Sequence, residues 1–186
     1  MVTREELNVV VLAHCILNQS TRWWLEGKPL RDSGMSIEIL NGLAKLGIGI
    51  LQMPCPEFTF CGNPRPPRTK KDYESLPGFV SHCQSLALQV AKEIRQLLSL
   101  SRKPKIRIIA VVGVERSPTC GVKLTPTLKD SNGRFGYSAT KGLFIEYLEK
   151  ELVQHGMSIP ILGVDLKKPQ SFLSSIRNLT TRVKTY

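Results

Sequence analysis

Three of the chain's five cysteines stand where they could work together: Cys15, Cys55 and Cys120, separated by 40 and 65 positions. Each comes just after an apolar run with the composition of a β-strand. Cys55 lies within Met53-Pro54-Cys55-Pro56-Glu57, and Cys120 within Glu115-Arg116-Ser117-Pro118-Thr119-Cys120-Gly121. None of the five forms a close CxxC pair. In a reducing compartment a cysteine is a buried filler, a nucleophile or a metal ligand rather than half of a disulfide. A lone cysteine is most often filler. Three in matching places point instead to a shared metal centre, and an iron–sulfur cluster is the expectation. Three protein ligands leave one coordination position open, the mark of a catalytic metal rather than a structural one. A [4Fe–4S] cluster normally takes four cysteines. With three, one iron is left to act as a Lewis acid.

The neighbouring residues supply further chemistry. A helix starting beside a cysteine stabilises its thiolate and pulls the pKa below the usual value of about 8.5. Pro54, Pro56 and Pro118 stiffen the turns, and Gly121 leaves the backbone free to approach a bulky ligand. Glu57, two residues past Cys55, is the candidate to activate a water or shuttle its proton; the bland alternative is a solvated loop carboxylate. Ser117 is either a hydrogen-bond donor to substrate or simply a turn-former beside Pro118. Asn18, Arg22 and Arg65 are the candidate substrate-binding residues. Arg22, Arg65 and Arg68 suit an anion, and equally suit a loop surface. His14 sits at a strand end, where a satisfied buried histidine is the common case. Trp23 and Trp24 either stack on a base or pack under a loop. Cys83 lies on an apolar helical stripe and reads as core. Cys61 is a spare ligand, a resolving thiol or neither, with neither favoured.

The elements that must position these groups are legible as periodicity. Four β-branched runs, 8–14, 47–53, 106–114 and 159–165, are nearly continuous in apolar character, which suits parallel strands buried on both faces. Helical stripes lie between them. Met35, Ile39, Leu40, Leu43 and Leu46 form one, stopped at Gly47. Phe79, Cys83, Leu86, Val90, Ile94 and Leu97 form a longer one. Leu143, Phe144, Tyr147, Leu148 and Leu152 form a third, opened near Ser138 and closed at Gly156. Phe172, Ile176 and Leu179 follow Pro169. The alternation predicts an α/β fold of three layers, with a mainly parallel sheet of four to five strands, flavodoxin- or Rossmann-like. Right-handed crossovers place every strand's carboxyl end on one edge of that sheet. The three cysteines are therefore expected to converge there. Residues 55–77 hold five prolines and no periodicity, and are expected to form a loop over that edge.

Length and composition fit this picture. The 186 residues suit a single domain, 1–186, with a proper core. Hydrophobic content of 41% and charged content of 22% are ordinary for a globular protein. No apolar run reaches the ~20 residues of a membrane span. The opening Met1-Val-Thr-Arg-Glu-Glu6 has no signal-peptide pattern, so the expected location is the cytoplasm. A net charge of +11, from 26 basic and 15 acidic residues, favours anionic partners, RNA among them. The basic residues are scattered in short groups with no aromatic RNA-binding signature. Oligomeric state is not legible.

Taken together, Cys15 after a first strand, Cys55-Pro-Glu57, Asn63-Pro-Arg65-Pro-Pro67 and Ser117-Pro-Thr-Cys120-Gly121 resemble the 2-thiouracil desulfidase (TudS-like) family, in matching order from the first strand through the third. The resemblance implies a [4Fe–4S] cluster held by Cys15, Cys55 and Cys120, with Glu57 and Ser117 lining the reacting site. It also implies removal of sulfur from a thiocarbonyl substrate, such as a thiolated nucleobase or nucleoside, or thiolated tRNA. Two stretches depart from the family pattern. After Cys15 the chain reads Ile16-Leu-Asn18-Gln-Ser-Thr-Arg22-Trp-Trp24, and after Glu57 it reads Phe58-Thr-Phe-Cys-Gly62. These mark a divergent branch with its own thiolated substrate. The competing readings are a zinc hydrolase with a Cys₃ site and a non-enzymatic carrier of sulfur or clusters.

Overall fold

The computed structural model describes residues 6–29 and 34–181. Residues 1–5, on which most of the signal-peptide reading rests, lie outside them. The expected α/β architecture is present. Strands β1 (Glu6–Ala13), β2 (Gly49–Met53), β3 (Lys105–Val114) and a later strand at Ile161–Val164 form one parallel sheet. The chain starts in the middle, steps to β2 on one side, then crosses back to β3 on the other. That reversal, in the order second–first–third–last, makes the flavodoxin-like switch point, with its crevice between the carboxyl ends of β1 and β3. The register is continuous from Val10↔Ala110 to Leu12↔Val112, after one irregularity at Val9/Val10.

Helices cover both faces. The first, α1 (His14–Leu17), follows β1 without a gap and runs into a 3₁₀ turn at Gln19–Thr21. Next comes α2 (Ile37–Lys45), and after β2 two short helices, α3 (Pro56–Cys61) and α4 (Lys70–Glu74). The long α5 (Phe79–Leu100) buries Phe79, Cys83, Ala87, Val90, Ala91 and Ile94 at spacings of one, three and four. Each large apolar side chain so buried contributes about 1.5–3 kcal/mol. After β3 a hairpin, β4 (Thr125–Lys129) and β5 (Phe135–Ser138), stands apart from the main sheet. Then follow α6 (Leu143–Gln154), β6 (Ile161–Val164) and α7 (Gln170–Thr181). Helix α5 packs on α6 and α2 on α7, the outer layers on either side of the sheet.

Three expectations need correcting. The main sheet has four strands, within the expected four to five, but its edge strand β2 is mostly exposed rather than buried on both faces. Residues 55–77 are not a single irregular loop. Pro56 fits the first position of α3, where no backbone N–H is needed, and Thr69 with Asp72 closes a capping box that opens α4. The third helical stripe opens at Gly142, not near Ser138, because 135–138 are paired in the hairpin. That hairpin had a signal in Asp130-Ser-Asn132-Gly133. The Asp130 side chain accepts from the N–H groups of Asn132 and Arg134, and Gly133 adopts a φ of 76°.

Candidate metal centre

All three expected cysteines reach one cavity at the carboxyl edge of the sheet. Cys15 is the second residue of α1, Cys55 is the N-cap of α3, and Cys120 lies in the turn after β3. They line a space of about 690 Å³, counting its open mouth, together with Glu57 and Ser117. None is in a disulfide. Local packing holds the Cys120 turn tightly. The Val114 N–H donates to the Cys120 carbonyl at 2.9 Å, and Ser117 Oγ accepts from the N–H groups of Thr119 (3.3 Å) and Cys120 (3.0 Å). A side chain on Gly113 would strike the Cys120 carbonyl, and one on Gly142 would strike that of Thr119. Gly121 serves the same end. A Cβ there would lie 2.6–2.7 Å from Thr125 Oγ1 and the carbonyls of Leu124 and Ser117. Its room is taken by the protein's own backbone, not by a ligand.

Electrostatics at the thiols runs opposite to the helix-dipole expectation. Burial pushes Cys15 up to about 11, with Arg22 pulling back. Burial also pushes Cys55 up to about 12, reinforced by Glu57 and Cys15, although the Phe58 N–H favours the thiolate. Cys120 is raised by burial and then by the nearby Cys15 and Cys55. Desolvation outweighs the short helices. Metal-free, these groups are neutral thiols at pH 7. Three thiolates this close become favourable only around a cation, which inverts the local logic. The donor set is soft sulfur, suited to iron–sulfur chemistry. Among the described residues no three His, Cys, Asp or Glu side chains are arranged to hold a single metal ion. A cluster asks for less, because each cysteine binds a different iron.

Glu57 is no solvated loop carboxylate. It is 7% exposed and accepts four hydrogen bonds. Arg65 Nη2 (3.5 Å) and Tyr73 Oη (3.2 Å) reach Oε2, while Ser117 Oγ (3.3 Å) and Thr119 Oγ1 (2.8 Å) reach Oε1. Ser117 is thus both turn-former and carboxylate partner. Tyr73 and Thr119 were missed in the sequence, since a tyrosine and a threonine in ordinary surroundings carry no signal.

Of the expected substrate-binding residues, Arg22 and Arg65 line the cavity. Arg65 is 3% exposed and already serves the structure, donating to Glu57, Thr21 O (2.8 Å), Gly62 O (3.1 Å) and Asn63 Oδ1 (2.6 Å). Its buried Nε has no partner among the described residues. Asn18 is placed differently. Its side chain caps the 3₁₀ turn, accepting from the Ser20 N–H at 3.1 Å, and it is not a lining residue. Arg68, open between anion binding and loop surface in the sequence, lines the cavity and donates to Cys61 Sγ at 3.5 Å. His14 is not a satisfied buried histidine: its buried Nε2 has no partner among the described residues, and burial lowers its pKa. Trp23 lines the cavity, whereas Trp24 bridges to Arg65 and donates to the Lys28 carbonyl. Cys83 is core, as expected. The hairpin adds Pro126 and Phe135 to the cavity wall.

Residues 7–159 match a family model described as "Putative 2-thiouracil desulfurase". An uncharacterized protein of Methanocaldococcus jannaschii is 28% identical over 114 residues, 61% of this chain and 67% of that one. A solved structure of a [4Fe-4S]-dependent thiouracil desulfidase, TudS, is similar at 20% identity and a TM-score of 0.45, over 85% of this chain and 90% of that chain.

Proposed function

The chain belongs to the 2-thiouracil desulfurase family, and from that premise we propose that it removes sulfur from a thiocarbonyl carbon at a [4Fe–4S] cluster held by Cys15, Cys55 and Cys120. The observation that carries the reading is the meeting of three free cysteines from three strand ends with a buried carboxylate in one cavity. When bound, such a cluster supplies a Lewis acid with an open position.

The chain's own residues account for the rest. The reaction replaces C=S by C=O, with water as the other reactant and hydrogen sulfide as the product, and needs no net electron transfer. Glu57 accepts a proton from the attacking water and returns one to the departing sulfur. Positioned acid–base groups of this kind contribute about 10²–10⁴-fold. Ser117 swings its proton between Glu57 and the substrate, since Thr119 Oγ1, 3.3 Å away, offers it a second partner. Arg65 holds the far side of the carboxylate. Arg22 and Arg68 on the wall favour a substrate with negative charge, as a nucleotide or thiolated tRNA has. Five free cysteines suit the reducing cytoplasm. No helix among the described residues is long and apolar enough to cross a membrane.

Anaerobic iron–sulfur reconstitution tests the reading. Cys15→Ser, Cys55→Ser and Cys120→Ser each lose the cluster absorbance, whereas Cys61→Ser and Cys83→Ser keep it. Glu57→Gln keeps the cluster and loses turnover of a thiolated pyrimidine. Retention of the cluster in any of the first three, or binding of zinc without iron and acid-labile sulfide, would overturn it. Full turnover in Glu57→Gln would remove Glu57 from the chemistry.

A further inference from the structure

We propose that Tyr73 is a positioning residue for the reaction: its buried hydroxyl pins Oε2 of Glu57, so that Oε1 is the oxygen presented beside Cys120. The inference rests on the reading of Glu57 given above and extends it to a residue outside the cavity wall.

A carboxylate has about four acceptor sites. Those of Glu57 are divided by origin. Oε2 is held by Arg65 and Tyr73, both from the segment after β2, and Oε1 by Ser117 and Thr119, both from the Cys120 turn. A glutamate on the first turn of a six-residue helix has three side-chain torsions to fix. The Oε1 contacts alone do not fix them, because Ser117 and Thr119 are also each other's partners at 3.3 Å. The Oε2 side must therefore act as the anchor. Arg65 reaches it only at 3.5 Å, with its guanidinium shared among three other acceptors. Tyr73 is closer, at 3.2 Å, and its hydroxyl also meets the Arg65 guanidinium, which joins the two groups that hold Oε2.

The tyrosine is itself rigidly placed. It is 1% exposed. Its ring stacks on Phe79 at 4.6 Å between centroids, with Arg68 over it at 5.6 Å. Its helix is only five residues long but is fixed by the Thr69–Asp72 capping box. Phenylalanine would fill the same space against Phe79. The hydroxyl is thus not needed for packing, and burying it costs free energy unless it is bonded. Its visible uses are Glu57 and the Arg65 guanidinium that also holds Glu57. Arg68 both covers this ring and lines the cavity, so the anchor stands directly behind the wall a substrate would meet.

Tyr73→Phe tests this with two readouts. The first is a crystal structure of the variant without its cluster. The Glu57 carboxylate is expected in a second rotamer, with Oε1 withdrawn from Thr119; one unchanged conformation keeping its remaining three bonds would overturn the proposal. The second is kinetics on a thiolated pyrimidine with the reconstituted protein. The expected result is a kcat about five- to tenfold lower, as for one lost hydrogen bond, with KM within about twofold and iron content equal to wild type. An unchanged kcat would overturn it, and so would a matching loss of iron, which would make Tyr73 structural. Were the reconstituted wild type to turn over no thiocarbonyl compound, the desulfidase reading would fail, and the Glu57 rotamer would still decide the role of Tyr73.

Discussion

Thr119 Oγ1 donates to Glu57 Oε1 at 2.8 Å across 62 positions of sequence, joining the helix that begins at Cys55 to the turn that holds Cys120. The bond is buried. It is also the shortest of the four on Glu57, and it ties the Oε1 of a carboxylate anchored through Oε2 to the Cys120 turn. The same carboxylate is then a strut between two candidate ligands as well as the candidate acid–base group.

Thr119→Val keeps the shape and removes the donor. A buried acceptor short of a partner costs about 1–3 kcal/mol. The variant should therefore show a lower urea midpoint with an unchanged slope, and Thr119→Ser should recover most of the loss. Equal midpoints for valine and threonine would mean that Glu57 is anchored without this bond.

The Cys120 turn depends as much on missing side chains as on bonds. Gly113, the penultimate residue of strand β3, faces the Cys120 carbonyl so closely that a methyl group would displace it, with Val122 only 2.9 Å from the same point. Gly113→Ala should cost about 1–3 kcal/mol from overpacking. It should also move Cys120, and so lower the iron bound per chain after reconstitution, while a comparable change on the far side of the sheet leaves iron unaffected. Full iron occupancy in Gly113→Ala would show that the turn absorbs the strain.

Much of this was written in the chain. The parallel sheet was legible because Val10, Val11, Leu12 and Ala110–Val112 leave no polar face, and the convergence of Cys15, Cys55 and Cys120 followed from strand order and crossover hand alone. The carboxylate clamp was not. In the sequence Glu57 carries two readings, acid–base group or solvated loop carboxylate, and no local pattern chooses between them. Only the folded chain shows that Arg65, a substrate-binding candidate in the sequence, turns inward to meet it. Thr119 and Tyr73 lie 62 and 16 positions from Glu57, and no local pattern announces a bond over such distances. The short helices in 55–77 escaped periodicity for a different reason: five or six residues make less than two turns, and only their caps betray them.

One of those caps gives a pH dependence. The Thr69 backbone N–H, bonded to Asp72 at 2.8 Å, holds the Asp72 carboxyl below its ordinary value, against a smaller opposing effect of burial. In the unfolded chain the group titrates near 3.9. A folded value lower than the unfolded one adds stability that is complete above the unfolded value and lost as pH falls through the folded one. Denaturation of wild type and Asp72→Asn should thus separate at pH 6 and converge as the pH drops below about 4. A gap that stays constant across that range would show that the cap works without its charge.

The hairpin decides the last expectation, which concerns what enters the cavity. Phe135 opens β5 and lines the cavity with Pro126 from the opposite strand. Its ring is held by its own cross-strand partner: Lys129 pairs with it in register and sets its ammonium 5.5 Å from the ring centroid. An aromatic face fixed in this way at a wall is suited to a flat guest. Stacking of this kind is worth about 0.5–1.5 kcal/mol, or roughly two- to twelvefold in affinity. Phe135→Ala should raise KM for a thiolated pyrimidine by about that factor, with kcat and iron content unchanged, because the ring belongs to the hairpin and not to the cysteine turns. An acyclic thioamide has no ring to stack and should lose nothing. Equal losses for both substrates would mean that Phe135 shapes the cavity without selecting its guest. A fall in kcat alone would place the hairpin in the chemistry rather than in recognition.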